Sequence, residues 1–172
     1  MTETTAVPTL VFVEHVLWEP DDAWTAALEH VAGRFARVSP LDVDAVVGAG
    51  AFHEQVAQLA TWADDAKVDL DRELGRFLDE HLSMHVRPKP AITRAVRALA
   101  AEGPLHAVSA LPPRAAESIA RHAGCWRSFE ALHGNVRDAA DLDRELGDVA
   151  ATRVVAAGAT PVPASATQLP LA

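Results

Sequence analysis

Three short runs of mainly apolar, often β-branched residues constrain the fold of this sequence more than any other feature. They are Thr9–Val13, Leu105–Ser109 and Arg153–Ala157, and each is typical of a buried strand. The segments between them have the spacing of helices, and strands that alternate with helices predict an α/β fold with a parallel sheet. A further short strand is predicted at about Phe129–Leu132. The Pro- and Ala-rich tail, residues 160–172, is predicted to be irregular.

The stretch between the first two strands is predicted to be entirely helical. After Glu19-Pro20-Asp21-Asp22 interrupts the chain, apolar residues recur on one helical face from Ala23 to about Arg37. Three more helical segments are predicted before residue 85, at about Leu41–Val47, Ala51–Ala63 and Leu70–Leu82. The sequence therefore predicts an α/β core, residues 1–19 and 86–172, with a helical insertion formed by residues 20–85.

Composition and charge exclude several classes of function. The 172 residues contain 15 Lys and Arg against 24 Asp and Glu, a net charge of −9 that is unfavourable for binding nucleic acid. No apolar run approaches the roughly 18–20 residues that cross a membrane, so no membrane association is expected. The polar start, Met1–Thr5, does not resemble a signal peptide. Cys125 is the only cysteine, and a reduced cytoplasmic protein is predicted.

Five segments match, in order and context, the motifs of one enzyme family. The first matches a strand that ends in Asp-x-Asp-Gly-Thr/Val-Leu, the second the helix entry "RPYPGV", and the third a strand that ends in Ser or Thr. The last two are similar to "KPAPDL" and "RVVAVGDTPAD". The five segments are Leu10–Leu17, Val86–Ile92, Leu105–Ser109, Arg137–Leu142 and Arg153–Pro163. Over nearly its whole length the chain thus resembles the haloacid dehalogenase-like hydrolases, in the phosphoglycolate-phosphatase-like branch. The resemblance implies a Rossmann-like, three-layer core with a parallel sheet, and a small helical cap inserted after the first strand.

The chain departs from this family at the positions that carry its chemistry. Val13 stands where the family has its nucleophilic Asp, and His15 stands where it has the Asp that acts as general acid and base. Ala159 and Pro163 replace two Asp residues of the fourth motif that help to hold magnesium. An aspartyl intermediate needs a carboxylate at the strand end, and Mg²⁺ needs oxygen ligands. Magnesium is the expected cofactor of the family, but its ligands are missing here, so neither a metal nor another cofactor is predicted.

A remnant of the family's anion pocket is the second hypothesis for this region. Ser109 is the one motif residue that matches the family, and Arg137 replaces a motif Lys. Together with His15 and Thr160 these side chains could hold a small anion, since Arg pairs well with phosphate. The alternative for each of them is a structural polar residue that is satisfied by the backbone or by water.

The sequence therefore favours a catalytically inactive haloacid dehalogenase-like protein that acts as a binding or regulatory partner. Whether it is an enzyme stays open, and the balance of residues is against catalysis. The alternatives are a divergent, phosphatase-like hydrolase and a sensor of small anions that uses the remnant pocket. Because Trp is enriched at interaction hot spots, a protein partner is predicted to bind the cap surface through Trp18, Trp24 and Trp62.

Overall fold

Among the residues that the structure describes, five parallel strands form a sheet at the centre of the protein. The computed structural model describes residues 8–146, 153–157 and 167–168. The strands follow the spatial order β3-β2-β1-β4-β5, so the chain changes direction across the sheet after β3. They are β1 (Thr9–Phe12), β2 (Leu105–Val108), β3 (Ala131–His133), β4 (Arg153–Val155) and β5 (Thr167–Gln168).

The strand β1 lies at the centre of this sheet and is buried on both faces. Leu10 is opposite His106 on one side and Val154 on the other. Successive residues of a strand point to opposite faces, which is why a central strand of a parallel sheet is apolar throughout. The run Thr9–Phe12 is therefore buried at every position.

Within the described residues, seven α-helices surround the sheet and divide into two groups. Four lie between β1 and β2 along the chain: α1 (Asp21–Phe35), α2 (Val43–Val47), α3 (Phe52–Ala66) and α4 (Leu70–His85). The other three connect the strands: α5 (Pro90–Glu102), α6 (Pro113–His122) and α7 (Ala139–Leu146). Proline at the first position of α5 and α6 suits a helix start, because that residue needs no hydrogen bond from its nitrogen.

The connecting helices cover the two faces of the sheet. Val96 of α5 and Ile119 of α6 pack in the same apolar cluster as Val11. Leu142 of α7 packs in a second cluster, with Leu10 and other residues of the opposite face. The predicted fold class, a Rossmann-like α/β protein with three layers and a helical insertion after the first strand, is confirmed.

One helix of the insertion packs along the core. Arg114, at the start of α6, places its Nη2 3.0 Å from Oδ2 of Asp79 in α4. Its backbone N–H also donates to Oδ1 of Asp71 at 2.9 Å, and Ser118 donates to Asp79. The helices approach closely at Gly75, where a Cβ atom would lie 2.6 Å from the Arg114 side chain. Contacts thus connect the insertion to the core, and the division into residues 20–85 and the remainder stays a prediction.

The predictions of regular structure differ from the structure mainly at the ends of the sheet. The tail was predicted to be irregular, which is wrong for Thr167–Gln168, because these residues pair with β4 as a fifth strand. Two residues are too few to show an alternating pattern, and the exposed edge of β4 supplies the pairing. The short strand predicted at Phe129–Leu132 lies at Ala131–His133 instead.

Candidate functional site

The ends of β1 and β2 hold three of the residues that the sequence marked as the candidate site, namely Val13, His15 and Ser109. In open α/β sheets, ligands bind outside the carboxyl ends of the strands, where the strand order reverses. Here the strand order reverses beside β1, since β1 has β2 on one side and β4 on the other. Val13, Glu14 and His15 follow β1 directly, and Ser109 follows β2.

Val13, at the position of the family's nucleophile, is a residue of the apolar core. Its side chain is fully buried in the same cluster as Leu17 and Trp18. Its backbone N–H donates to the carbonyl of Val108 at 2.9 Å, and its carbonyl accepts from the N–H of Leu17 at 2.9 Å. The chain thus turns back immediately after β1. An aliphatic side chain cannot attack a phosphoryl group.

Glu14 and Ser109 form a buried hydrogen-bonded pair at the strand ends. The hydroxyl of Ser109 donates to Oε1 of Glu14 and accepts from the N–H of Leu111 at 3.1 Å. Glu14 is 3% exposed and Ser109 is 0% exposed. Burial raises the pKa of Glu14, and the hydrogen bonds from Ser109 and from nearby backbone N–H groups oppose that rise. The one hydroxyl that matches the family motif is therefore bonded to a neighbouring side chain.

His15 lies in a tight turn and faces the helical insertion. Its φ of 63° is in the left-handed region, and its backbone N–H donates to the carbonyl of Trp18 at 2.6 Å. Its Nδ1 lies 3.2 Å from Oε2 of Glu19, which also pairs with Lys89 at 3.0 Å. Burial by itself would raise the pKa of Glu19. The hydrogen bonds from Lys89 and His15 outweigh burial and lower this pKa. His15 lines a cavity of about 260 Å³, together with residues of the insertion that include Trp24 and Phe52.

Arg137 lines a different cavity, of about 490 Å³, beside the segment that joins α3 to α4. Its Nη2 donates to Oδ1 of Asn135 at 2.8 Å, and its backbone N–H donates to Oδ2 of Asp141 at 3.0 Å. Its Nε is buried and has no hydrogen-bond partner within the described ranges. Asp64, Asp69 and other acidic residues line the same cavity.

The structure thus does not bring the described residues of the expected anion pocket together in one cavity. His15 and Arg137 line separate cavities, and neither cavity is lined by Ser109. Thr160, together with the motif positions Ala159 and Pro163, lies outside the described residues. A shared pocket for these side chains stays a prediction.

The residues at the strand ends do not fit the magnesium ion that the family resemblance implies. Mg²⁺ requires hard oxygen ligands in octahedral geometry. Val13 offers no ligand, His15 offers a nitrogen, and the carboxyl group of Glu14 is hydrogen-bonded to Ser109. Within residues 8–146, 153–157 and 167–168, no group of three or more His, Cys, Asp or Glu side chains is arranged to hold a metal ion.

The three tryptophans of the predicted cap surface are buried or half-buried; Trp18 lies just before the insertion, and Trp24 and Trp62 lie within it. Trp18 is 2% exposed and Trp24 is 4% exposed, and both rings contact Phe52 edge to face. Nε1 of Trp24 donates to Oε1 of Gln55 at 2.8 Å. Trp62 is half-buried against Phe35. Packing around Phe52 thus removes the rings of Trp18 and Trp24 from solvent, and a protein partner at the cap surface stays a prediction.

The sequence did not predict the pairing of Glu14 with Ser109. A signal was present, since Glu14 comes two residues after β1 and Ser109 comes directly after β2. Phe12 and Val108 are opposite each other in the register. Polar residues that follow adjacent parallel strands meet at one edge of the sheet.

The α/β fold thus carries the aliphatic Val13 and the buried pair of Glu14 and Ser109 at the ends of its central strands. Two solved structures are similar to it. A protein from Thermotoga maritima assigned as a beta-phosphoglucomutase has 14% sequence identity and a TM-score of 0.42, with 77% of this chain and 63% of that chain covered. This chain therefore spans less than two thirds of the Thermotoga protein.

The second structure is a protein from Haemophilus somnus 129PT assigned as a phosphoglycolate phosphatase. It has 17% identity and a TM-score of 0.47, with 88% of this chain and 78% of that chain covered. No family model matches the sequence, and no curated protein matches it. Within the described residues, no helix has the length and apolar character needed to cross a membrane.

Proposed function

We propose that this chain is a catalytically inactive, haloacid dehalogenase-like protein that acts as a binding or regulatory partner in the cytoplasm. The observation that carries the proposal is the buried hydrogen bond between Ser109 and Glu14 beside the aliphatic Val13. In the family that the sequence resembles, the position of Val13 carries the Asp that forms a covalent aspartyl intermediate.

The proposal rests on what phosphoryl transfer requires. A nucleophile must reach the phosphorus atom, and cationic groups or metal ions must neutralise the charge that develops on the phosphoryl oxygens. Val13 supplies no nucleophile. The hydroxyl of Ser109 is fully buried, so an incoming phosphate would have to displace Glu14 from it.

A divergent hydrolase is the second candidate, and one observation favours it. Glu14 places a carboxyl group one residue beyond the nucleophile position, and burial raises its pKa. A carboxylic acid with a raised pKa can serve as a general acid. His15, which lines the cavity beside the insertion, would be its partner in such chemistry.

An activity assay separates the two candidates. We expect no hydrolysis of a panel of phosphate esters with Mg²⁺ present, because Val13 cannot form the aspartyl intermediate. Glu14→Gln and His15→Ala are the informative variants, and His85→Ala, which changes an exposed histidine of α4, is the matched control. Turnover that survives further purification, is lost in Glu14→Gln and persists in His85→Ala would contradict inactivity and support the hydrolase.

The binding role needs its own measurement. We expect the tagged protein to elute from a size-exclusion column in a stoichiometric complex with a protein partner, or to release a small anion when it is denatured. Mass spectrometry of the eluate identifies either one. A monomer free of any bound molecule, together with phosphatase turnover, would overturn the proposed function.

A further inference from the structure

A cavity at the other end of the sheet is lined by three arginines. It has a volume of about 470 Å³ and is lined by Arg97, Arg121, Gly124, Trp126, Arg127 and Ser128. We refer to it as the arginine cavity. The segment from Gly124 to Ser128 joins the end of α6 to the start of β3, so this cavity lies at the amino-terminal edge of the strands. It is therefore distinct from the candidate site at the carboxyl ends.

The charge around this cavity is opposite to that of the whole protein. The chain has a net charge of −9 and only 15 basic residues, of which three line this one cavity. Within the part of the chain that the structure describes, its lining includes no carboxylate. Arg121 pairs with Glu117, the neighbouring acid on α6, at 2.7 Å from Nε to Oε1. Arg97 and Arg127 form no ion pair with any described residue, so their positive charges are not neutralised there.

The backbone of the loop and the aromatic ring give the cavity a defined shape. Gly124 has a φ of 72°, a left-handed conformation that favours glycine, and its carbonyl accepts a hydrogen bond from Nη2 of Arg97 at 3.3 Å. The guanidinium carbon of Arg121 lies 5.1 Å from the centre of the Trp126 ring. Thr93 of α5 also donates to the carbonyl of Ala123 at 2.9 Å. These contacts hold the loop against α5 and so fix the cavity between them.

The chemistry of these side chains selects a class of ligand. Guanidinium groups bind phosphate oxygens through paired hydrogen bonds, and they also stack on flat rings. The indole of Trp126 offers a further aromatic surface. A volume of about 470 Å³ is within the range of sites for small molecules. We propose that the arginine cavity binds a small phosphate-bearing molecule that also carries an aromatic ring, as a mononucleotide does.

The proposal is tested by calorimetric titration with three probes: AMP, adenosine and inorganic phosphate. We expect AMP to bind at least tenfold more tightly than either of the others, because it carries both the phosphate and the ring. Arg127→Gln is expected to weaken AMP binding about tenfold or more, since it removes charge-assisted hydrogen bonds. Arg127→Lys keeps the charge without the planar fork, so an intermediate loss is expected.

Arg94→Gln is the matched control, because it removes an exposed arginine from α5 that does not line the cavity. AMP affinity in this variant should equal that of the unmodified protein. Thermal unfolding of every variant checks that the fold is retained. The check also applies to Arg97→Gln, because Arg97 donates a hydrogen bond to the carbonyl of Gly124 in the loop. The proposal is overturned if AMP does not bind at about 10 mM, if adenosine binds as tightly as AMP, or if Arg94→Gln and Arg127→Gln weaken binding equally. Phosphate binding as tightly as AMP, or an acidic peptide binding where AMP does not, would also overturn it.

Discussion

Arg34 of α1 and Glu73 of α4 form an ion pair, with 3.0 Å between Nε and Oε2, in which the carboxylate is buried and the guanidinium reaches solvent. Arg72 lies 3.2 Å from the other oxygen of the same carboxylate. A buried carboxylate depends on such partners, because leaving it without them costs far more than the pair contributes. The pair thus connects the first and last helices of the insertion.

Replacing Arg34 by Gln is expected to lower the free energy of unfolding by about 3 kcal/mol, since Glu73 stays buried with one cation fewer. Arg76→Gln is the control, because it breaks an exposed pair with Glu80 on the same helix and should cost less than about 1 kcal/mol. Urea denaturation measures both. Equal losses in the two variants would show that the burial of Glu73 does not matter.

Glu14→Gln is expected to change how stability depends on pH. Burial raises the pKa of Glu14 above its value in the unfolded chain. Stability from the protonated carboxyl group is therefore fully present below the unfolded pKa, and is lost as pH rises through the folded pKa. Glutamine keeps an oxygen that accepts from Ser109 and cannot ionise. The unfolding free energy of the variant minus that of the original protein should therefore become more positive from about pH 5 to about pH 8.

Urea denaturation across this pH range is the measurement for Glu14. Glu29→Gln, which changes an exposed glutamate of α1, is the control variant. A difference for Glu14→Gln that declines with rising pH would mean that the carboxylate, rather than the acid, is the stable form in the folded protein.

Two glycines in helices should respond to alanine in opposite directions. At Gly33 a Cβ atom would meet nothing within 4 Å, so Gly33→Ala should stabilise the protein by about 0.5–1 kcal/mol through helix propensity. At Gly75 a Cβ atom would lie 2.6 Å from Cγ and Cδ of Arg114, which would have to move away from Asp79. Gly75→Ala should therefore destabilise it by about 1–3 kcal/mol. Thermal unfolding compares the two, and a shift of the same sign in both would refute the close packing of α4 on α6.

Two histidines on neighbouring strands should make the protein sensitive to acid. Nε2 of His133 lies 3.1 Å from Nδ1 of His106, and Nδ1 of His133 lies 3.8 Å from a carboxylate oxygen of Glu145. Burial, and then the charge of His106, lower the pKa of His133, while Glu145 opposes them. Because the folded pKa is below the unfolded value, stability is full above about pH 6.5 and is lost as pH falls below it.

His106→Gln removes the positive charge that His106 can carry beside His133, and it should therefore raise the pKa of His133 in an NMR titration. It should also reduce the loss of stability between about pH 7 and about pH 5. The exposed His85 provides the comparison, since His85→Gln should leave the titration of His133 unchanged. A pKa of His133 that is the same with and without His106 would exclude the coupling.

The sequence predicted much of the sheet and of the helical insertion because their signals are local. The continuous apolar run Thr9–Phe12 and the apolar face that recurs along α1 (Asp21–Phe35) are each visible within one segment of the sequence. The strand Thr167–Gln168 could not be predicted in this way, because its pairing depends on the edge of β4 and not on its own residues.

The candidate site was less predictable because a backbone reversal determines it. The left-handed turn at His15 returns the chain on itself, so that Leu17 and Trp18 donate to the carbonyl of Val13 at 2.9 and 3.3 Å. Histidine gives no sign of a positive φ in a sequence, and the burial of Trp18 follows from that turn. Glu14, one residue before this turn, accepts a hydrogen bond from Ser109.

The packing of α4 along α6 is expected to couple the unfolding of the insertion to that of the sheet. A helical insertion that touched its core only through two linkers could melt, or be digested by a protease, while the sheet stayed intact. Here the ion pair between Arg114 and Asp79 and the contact at Gly75 give both parts a common interface. Fraying of the insertion therefore exposes α6 as well, so heating should produce one cooperative transition and no surviving half-folded fragment.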